Sequence, residues 1–339
     1  MIPHSTQKVL SSVDDQLGPR EKRFFGAGFR RVSYGHTGVR VERVAGPVND
    51  TRVSSRLSVR YPGDWSKKGG AHELPPHFST IDGLLIAAEL SELCIADVES
   101  AGVAETGAAW LRNVRISAGG EPQEDLGRID ARAVRRSCAA LPDAPGWSVS
   151  VVDSTIGTMR VRCEVVHPTT AYTPGVHTCA TPDDLLGPAG GRYFAEGFRS
   201  RGQEIRDVAV DPGSLRAEAV LALSDDGPSV RPGGGLEADY QPSVTMVDAF
   251  VTALQLAQVM LYDLDGMRRA DSNTLWMRQT TMSAVRPDRP AGDGVRVDTA
   301  VSEPNLLRMG GAVWRTADIV GDLGGVRVSC AVTHRLPDS

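Results

Sequence analysis

One stretch of this chain occurs twice. "RFFGAGFR" runs from Arg23 to Arg30, and "RYFAEGFR" runs from Arg192 to Arg199. A second match pairs "PHFSTIDGLLIAAELSELCIADV", which starts at Pro76, with "PSVTMVDAFVTALQLAQVMLYDL", which starts at Pro242. Both matches keep the same order along the chain, so the protein is two copies of one unit, and each copy must fold in the same way.

The repeat sets the domain organisation. We predict a first unit over residues 20–170 and a second unit over 188–339. The segment between Pro168 and Gly191 is rich in Pro, Gly and Thr and has no periodicity, which predicts a linker. Two copies are too few for a solenoid.

Each unit has alternating strands, then one long helix, then further strands. The helices begin at capping-box-like sequences, Ser79–Asp82 and Thr245–Asp248, in which a hydroxyl is followed three residues later by an acid. Both helices are apolar on nearly every side, which is typical of buried helices. The pattern predicts an α+β fold in which an antiparallel sheet wraps one buried helix. It resembles a tandem, or double, hotdog whose sheets pair side by side as a built-in dimer, although a plain α+β sandwich would share the pattern.

Composition narrows the class of protein. The 339 residues are 41% hydrophobic and 23% charged, with a net charge of −5, which is typical of a folded soluble protein and gives no electrostatic support for nucleic-acid binding. Apolar runs such as Leu84–Ala88 are too short to span a bilayer, so we expect no membrane partner. The start of the chain lacks the apolar core of a secretory signal. The five cysteines are dispersed without a CxxC pair, which favours reduced thiols in the cytoplasm.

Two blocks of the first unit carry a family resemblance. "FFGAGFRRVSYGHTGVRV", followed by "PHFSTIDGLLIAAELSE", resembles the avirulence protein D (AvrD) family, and the likeness runs along most of the chain. That family is associated with making syringolides, which are butanolide-type signals built from a β-ketoacyl chain and a sugar. The chain more distantly resembles the A-factor biosynthesis enzymes, tandem hotdogs that join a β-ketoacyl-carrier-protein thioester to a triose phosphate.

Comparison of the two units suggests catalytic residues, because a polar position that differs between them is where one unit could have specialised. Glu89 corresponds to Gln255, His77 to Ser243 and His36 to Ile205. The ionisable members all lie in the first unit, which predicts that this unit supplies most of the catalytic groups. Histidine and carboxylate groups suit general acid–base catalysis, so the catalytic candidates are His36, His77, Asp82 and Glu89. Asp82 could equally be only a helix cap, and the two histidines and Glu89 could be purely structural.

A second set of residues is predicted to bind substrate. Arg112 and Arg278 repeat on the strand after each helix, and arginine suits a phosphate, although both could be surface charges. Tyr34 lies beside His36. Asp248 and Gln255 are the counterparts of Asp82 and Glu89 in a second unit that we expect to lend the wall of the site.

Other motifs predict no metal and no cofactor. Cys163 and His167 repeat as Cys330 and His334, but each pair lacks the third ligand that a metal site requires. We find no phosphate loop, dinucleotide fingerprint or nucleophile elbow. The Gly-rich stretch over residues 231–240 is predicted to be a flexible lead into the second helix.

Three functions remain open. The first is a cofactor-free enzyme that condenses a β-ketoacyl thioester, carried by a carrier protein or coenzyme A, with a sugar or triose-phosphate acceptor to give a butenolide-type signal. The second is a double-hotdog dehydratase or thioesterase that uses His77 and Glu89, although Glu89 is offset by one position from the usual dehydratase spacing, about 100° around the helix. The third is a non-catalytic acyl- or signal-binding protein. Association into a homodimer is left open.

Overall fold

The computed structural model describes residues 7–46, 50–65, 75–96, 106–170, 172–225, 234–272 and 275–337. We call the described residues up to 170 the first half and those from 172 onward the second half. The strands of the first half are β1 (Lys8–Ser12), β2 (Ser33–Val44), β3 (Asp50–Arg60), β4 (Trp110–Ser117), β5 (Ile129–Ala140), β6 (Trp147–Ile156) and β7 (Met159–Pro168). Those of the second half are β8 (Gly175–Cys179), β9 (Arg201–Asp211), β10 (Arg216–Asp225), β11 (Trp276–Ala284), β12 (Val295–Met309), β13 (Ala312–Leu323) and β14 (Val326–Arg335). The helices are α1 (Asp14–Leu17), α2 (Thr80–Ile95), α3 (Asp183–Leu186) and α4 (Met246–Leu264).

All of these strands form one antiparallel sheet. Its order is β1-β9-β10-β12-β13-β14-β11-β4-β7-β6-β5-β3-β2-β8. The halves meet where β4 pairs with β11, with Thr281 opposite Arg115 and Ser283 opposite Asn113. The predicted side-by-side pairing of the two sheets is confirmed.

Each half wraps its part of the sheet around one long helix. Every residue of α2 is buried, and so are nearly all residues of α4. By length and composition α4 could cross a membrane, but 83% of its apolar window is buried inside the protein, so it is a core helix. The two sheet-wrapped helices give the α+β double-hotdog fold that the sequence predicted.

The capping boxes predicted at both helix starts are confirmed. The side chain of Ser79 accepts from the backbone N–H of Asp82, and the Asp82 carboxylate accepts in return from the backbone N–H of Ser79. Thr245 and Asp248 repeat this exchange in α4. These bonds satisfy helical N–H groups that have no partner within the helix.

The segment that leads into each half pairs with the other half. β1 precedes the first unit but pairs with β9, and β8 precedes the second unit but pairs with β2. The linker prediction is therefore wrong over residues 175–179 and 183–186, which form a strand and a helical turn. Only five residues of β8 pair with the sheet. An alternating pattern cannot be recognised in so short a stretch of sequence. Our unit boundaries at 20–170 and 188–339 stay a prediction.

Two central strands were missed by the sequence analysis. In β5, the buried Ala131 and Ala133 alternate with exposed charged residues, and the outer end of β12 is exposed. Alanine and charged residues are poor strand formers. The place of β5 in the sheet therefore comes from packing on α2 and not from intrinsic preference.

A close approach between α4 and β13 provides a test of the helix packing. A Cβ added at Gly321 would lie 2.7 Å from the Cβ of Ala253, and neither atom can rotate away. We expect Gly321→Ala to lower the free energy of unfolding by about 1–3 kcal/mol, as overpacking does, measured by urea denaturation. The control is Gly190→Ala, where an added Cβ meets nothing within 4 Å. Equal stabilities of the two variants would contradict this packing.

Candidate functional site

A pocket of about 170 Å³ lies at the junction of the two halves. We call it the junction pocket. Part of its wall is aromatic, and the aromatic side chains are Phe24, Phe25, Trp65, Phe78, Tyr262 and Trp276. Because residues 24–77 and 262–276 come from different halves, the pocket exists only when the two are joined. An apolar wall of this kind suits an acyl chain.

His77 is the histidine of the junction pocket. Its ring stacks on Trp276, with centroids 5.2 Å apart and an interplanar angle of 21°, and meets the edge of Trp65 at 5.5 Å. The backbone is held as well, because the Tyr61 hydroxyl donates to the His77 carbonyl at 2.8 Å. Burial lowers the pKa of His77, so the ring is neutral at pH 7 and can accept a proton.

Polar groups complete the junction pocket. Arg23 and Arg269 contribute guanidinium groups, Glu121 contributes a carboxylate that partly offsets their charge, and Gln258 contributes an amide from α4. Burial lowers the pKa of Arg23 to about 10, with further lowering from the positive charge of Arg269. Ser79 and Thr80, at the start of α2, also line the pocket. The predicted helix start is thus placed where its N–H groups could face a reacting carbonyl oxygen.

His36 and Glu89, predicted separately, lie together in a buried ion cluster. His36 Nε2 is 3.1 Å from Glu89 Oε2, and its Nδ1 is 2.9 Å from Ser55 Oγ. Arg192 of the second half donates from Nη1 to Glu89 Oε1 at 2.8 Å and from Nη2 to Asp183 at 2.7 Å. The sequence analysis missed Arg192 as part of this site, although it opens the repeated "RYFAEGFR" stretch, and its recurrence was the available signal.

The cluster holds two acids with opposite behaviour. Burial acts to raise the pKa of Glu89, but the hydrogen bond and charge of His36, together with Arg192, outweigh it, and the pKa is lowered. Glu92 lies one turn further along α2 and accepts from the Thr106 hydroxyl at 2.6 Å. Burial raises the pKa of Glu92 to about 7. The Arg192 guanidinium therefore compensates the negative charge of Glu89 fully and that of Glu92 only in part.

The structure does not place His77 beside Glu89. His77 precedes the helix, whereas Glu89 lies ten residues beyond the Ser79 cap, about 15 Å along the axis. Both oxygens of Glu89 are engaged by His36 and Arg192. The pairing on which the dehydratase hypothesis depended is therefore not assembled.

The two helix-cap aspartates are enclosed by hydrogen bonds. The carboxylate of Asp82 is fully buried and accepts from Tyr34 at 2.6 Å, from Tyr61 and from Ser79. In the second half, Asp248 accepts from Gln203 and Arg201 in the same manner. These contacts explain both aspartates and Tyr34 as parts of the scaffold. Their predicted roles in catalysis or substrate binding stay predictions.

The remaining predicted residues lie elsewhere. Arg112 forms a half-exposed ion pair with Glu164 at 2.8 Å, and Arg278 is exposed on β11. Gln255 is buried in the second half, where it lines a separate cavity. Within the described ranges no group of three or more His, Cys, Asp or Glu residues could hold a metal ion. The five cysteines are free thiols.

In the described part of the second half, other side chains occupy positions equivalent to parts of the junction pocket. Ser243 replaces His77, and Arg289 replaces Gln123. The Arg289 guanidinium reaches inward to Glu237 at 2.7 Å, and both side chains are fully buried. The predicted flexible lead is wrong at Glu237, although residues 231–233 lie outside the described residues. These two positions of the pocket lining therefore differ between the halves of a duplicated fold.

The raised pKa of Glu92 gives a test of the buried ion cluster. The folded protein keeps a proton up to about pH 7 that the unfolded chain loses near pH 4.5, so stability falls as the pH rises between these values. We expect Glu92→Gln, which copies Gln258 of the second half, to be more stable than the parent by about 3 kcal/mol above pH 7. The difference in the free energy of unfolding between Glu92→Gln and the parent should shrink as the pH falls toward 4.5.

Urea denaturation across this pH range measures the effect. The control is Glu218→Gln, the same exchange at an exposed position of β10. A stability difference for Glu92→Gln that does not change with pH would contradict the assignment.

Comparison with known proteins places the chain in a family. The model for the Pseudomonas avirulence D protein (AvrD) matches residues 8–337. Similar solved structures include a hypothetical protein of Mycobacterium tuberculosis with a double hotdog fold (10% identity, TM-score 0.42, covering 98% of this chain and 94% of that one). Others are the tesB protein of Mycobacterium avium subsp. paratuberculosis (14%, 0.36, 88% and 96%) and a hotdog-fold protein of Alicyclobacillus acidocaldarius (8%, 0.37, 88% and 96%). No curated protein matches significantly. Because the family match spans nearly the whole chain, the protein belongs to the avirulence protein D family.

Proposed function

We propose that this protein condenses a β-ketoacyl thioester with a sugar or triose-phosphate acceptor to form a butenolide-type signal molecule. The observation that carries the proposal is the junction pocket, in which a neutral histidine lies against an aromatic wall of acyl-binding character. Membership of the AvrD family, which is associated with syringolide formation, supports the same chemistry. The acyl donor would arrive on a carrier protein or on coenzyme A, in the cytoplasm.

The first step forms an ester. His77 takes the proton of an acceptor hydroxyl, and the oxygen attacks the thioester carbonyl. The developing oxyanion would accept from the backbone N–H of Thr80, which lines the pocket at the start of α2 and is not part of the capping box. The carbonyl re-forms, the C–S bond breaks, and the thiolate leaves and takes up the proton from His77. One ester and one thiol are produced.

The second step closes the ring. The carbon between the two carbonyls of the β-ketoacyl ester is acidic, and the neutral ring of His77 can remove its proton. The resulting carbanion attacks the ketone of the acceptor, a carbon–carbon bond forms, and the alkoxide that is produced takes the proton back from His77. Removal of the second proton of the attacking carbon and departure of the hydroxyl group as water then leave the butenolide. Arg23 and Arg269 supply positive charge at the wall of the pocket, where it favours anionic intermediates or a phosphate.

The proposal predicts a strict role for His77. Purified protein supplied with a β-ketoacyl thioester and dihydroxyacetone phosphate or xylulose should release thiol and yield a new ester by mass spectrometry. We expect His77→Gln to lower this rate by about 10²–10⁴-fold, the usual contribution of a general base. The control is His177→Gln, the same exchange on β8. Unchanged turnover of His77→Gln would refute the assignment.

The dependence of thiol release on the acceptor distinguishes this proposal from the other two functions. Thiol release that requires the hydroxylated acceptor supports condensation. Thiol release or enoyl absorbance without any acceptor would instead support a thioesterase or dehydratase. Binding of the thioester without turnover, across several chain lengths and both acceptors, would support a non-catalytic binding protein.

A further inference from the structure

An exposed thiol lies at the end of the first half that is away from the junction pocket. Cys138 stands on β5 near the turn that joins it to β6, and it is exposed. Cys179 is half-buried, and the other cysteines are buried. The junction pocket is at the opposite end of β6, where the turn into β7 contributes Thr158 and Met159 to its lining. The thiol is therefore separate from the proposed acyl site.

Two buried polar side chains share the sheet face of Cys138. Cys138 is directly opposite Ser150 in the register of β5 and β6, so their Cβ atoms are about 5 Å apart on the same face of the sheet. Ser150 Oγ is 2.8 Å from Nε2 of His167 on β7. Ser150 and His167 are 0% and 3% exposed. A thiol, a hydroxyl and an imidazole therefore follow one another from the surface into the protein.

The hydrogen bonds of His167 make it a proton acceptor toward this thiol. Its Nδ1 is 2.8 Å from the carbonyl oxygen of Pro168. A carbonyl oxygen only accepts, so Nδ1 carries the proton and Nε2 of the neutral ring accepts from the Ser150 hydroxyl. The Ser150 oxygen is in turn free to accept from the Cys138 thiol across the strand pair.

The surroundings of Cys138 favour its thiolate form. A hydrogen bond to His167 is the largest influence, and together with Ser150 and the positive charge of Arg135 it outweighs burial and lowers the pKa of the thiol to about 7. The titratable or charged groups that act on it most strongly are thus His167 from β7 and Arg135 from β5. Reactive cysteines are typically partly exposed thiols beside a histidine, with a pKa lowered in this way.

The second half keeps the histidine without the thiol and the hydroxyl. His334 replaces His167, and Ala317 replaces Ser150. β12 is bulged where it passes Ala317 and carries no cysteine there. The ring of His334 is instead held by the carboxylate of Asp265, at 3.1 Å from Nε2. The buried histidine alone is therefore a scaffold feature, and the first half adds two groups that turn it toward a thiol.

We propose that Cys138 is a modification site that forms a mixed disulfide with a low-molecular-mass disulfide, with His167 acting as its base through Ser150. The thiol proton passes through the Ser150 hydroxyl to Nε2 of His167. The thiolate attacks one sulfur of the disulfide, a new S–S bond forms, and the old one breaks. The departing thiolate takes up the proton from His167, so one mixed disulfide and one thiol are produced. This inference goes beyond the proposed function and uses none of the pocket residues.

Oxidised glutathione at pH 7 tests the reaction on the reduced full chain, without thioester or acceptor. Cys179 is the internal control, because burial and the charge of Asp184 raise its pKa. The larger thiolate fraction of Cys138, partly offset by the weaker nucleophilicity of a low-pKa thiol, should make its modification at least about 5-fold faster. Peptide mass spectrometry measures both rates in one sample. Modification of Cys179 as fast as that of Cys138 would overturn the inference.

Two variants test the role of the base. His167→Gln should slow modification of Cys138 by about 5-fold at pH 7, and Ser150→Ala by about 2- to 5-fold, while Cys179 keeps its rate. Ser150→Ala copies Ala317 of the second half, so it gives an answer even where His167→Gln does not fold. In both variants the midpoint of the pH–rate profile of Cys138 should move upward from about 7, toward that of an ordinary thiol.

The matched control is Ser148→Ala, the same exchange on the same strand. The Ser148 hydroxyl bonds to Thr169 at 2.7 Å, so this variant should be modified like the parent. An unchanged rate and an unchanged midpoint in folded Ser150→Ala and His167→Gln would overturn the assignment of the base. None of these measurements requires turnover, so they stand or fall independently of the proposed condensation.

Discussion

The whole molecule depends on an exchange between its halves. The leading segment of each half adds a strand to the sheet of the other, so β1 covers β9 and β8 covers β2. An uncovered edge strand exposes unpaired N–H and C=O groups and invites aggregation. The same exchange carries Arg192 to Glu89, a buried carboxylate that would otherwise have only His36 beside it. Neither half is therefore a complete folding unit.

Because the fold is duplicated, each site in one half has an equivalent site in the other, and the two can carry different side chains. The scaffold residues are kept in both halves: capped aspartates, buried helices and the leading arginine. The variable positions decide what each place becomes. With His36 and Glu89 the space closes into an ion cluster, and with Ile205 and Gln255 it stays open as a cavity. With His77 a pocket forms, and with Ser243 and Arg289 it is filled.

Much of the fold was predictable because its signals are local or repeated. The capping boxes and the helices that are apolar on all sides can be recognised in short stretches of sequence. The internal sequence repeat showed that both features occur twice. β5 was missed because alanine and arginine alternate there, and β8 because only five residues pair with the sheet. The comparison of halves found His36, His77 and Glu89, but it could not tell which of them would meet. That depends on Arg192, which lies 103 residues from Glu89 and reaches it only through the exchanged segment.

The exchanged leading segments also govern how such a chain can change over generations. A half acquired by recombination from a relative would bring a segment shaped for a different helix, and its arginine would meet an unmatched carboxylate or amide. We therefore expect paired positions of the two halves to change together, although the protein is built from two copies of a single unit.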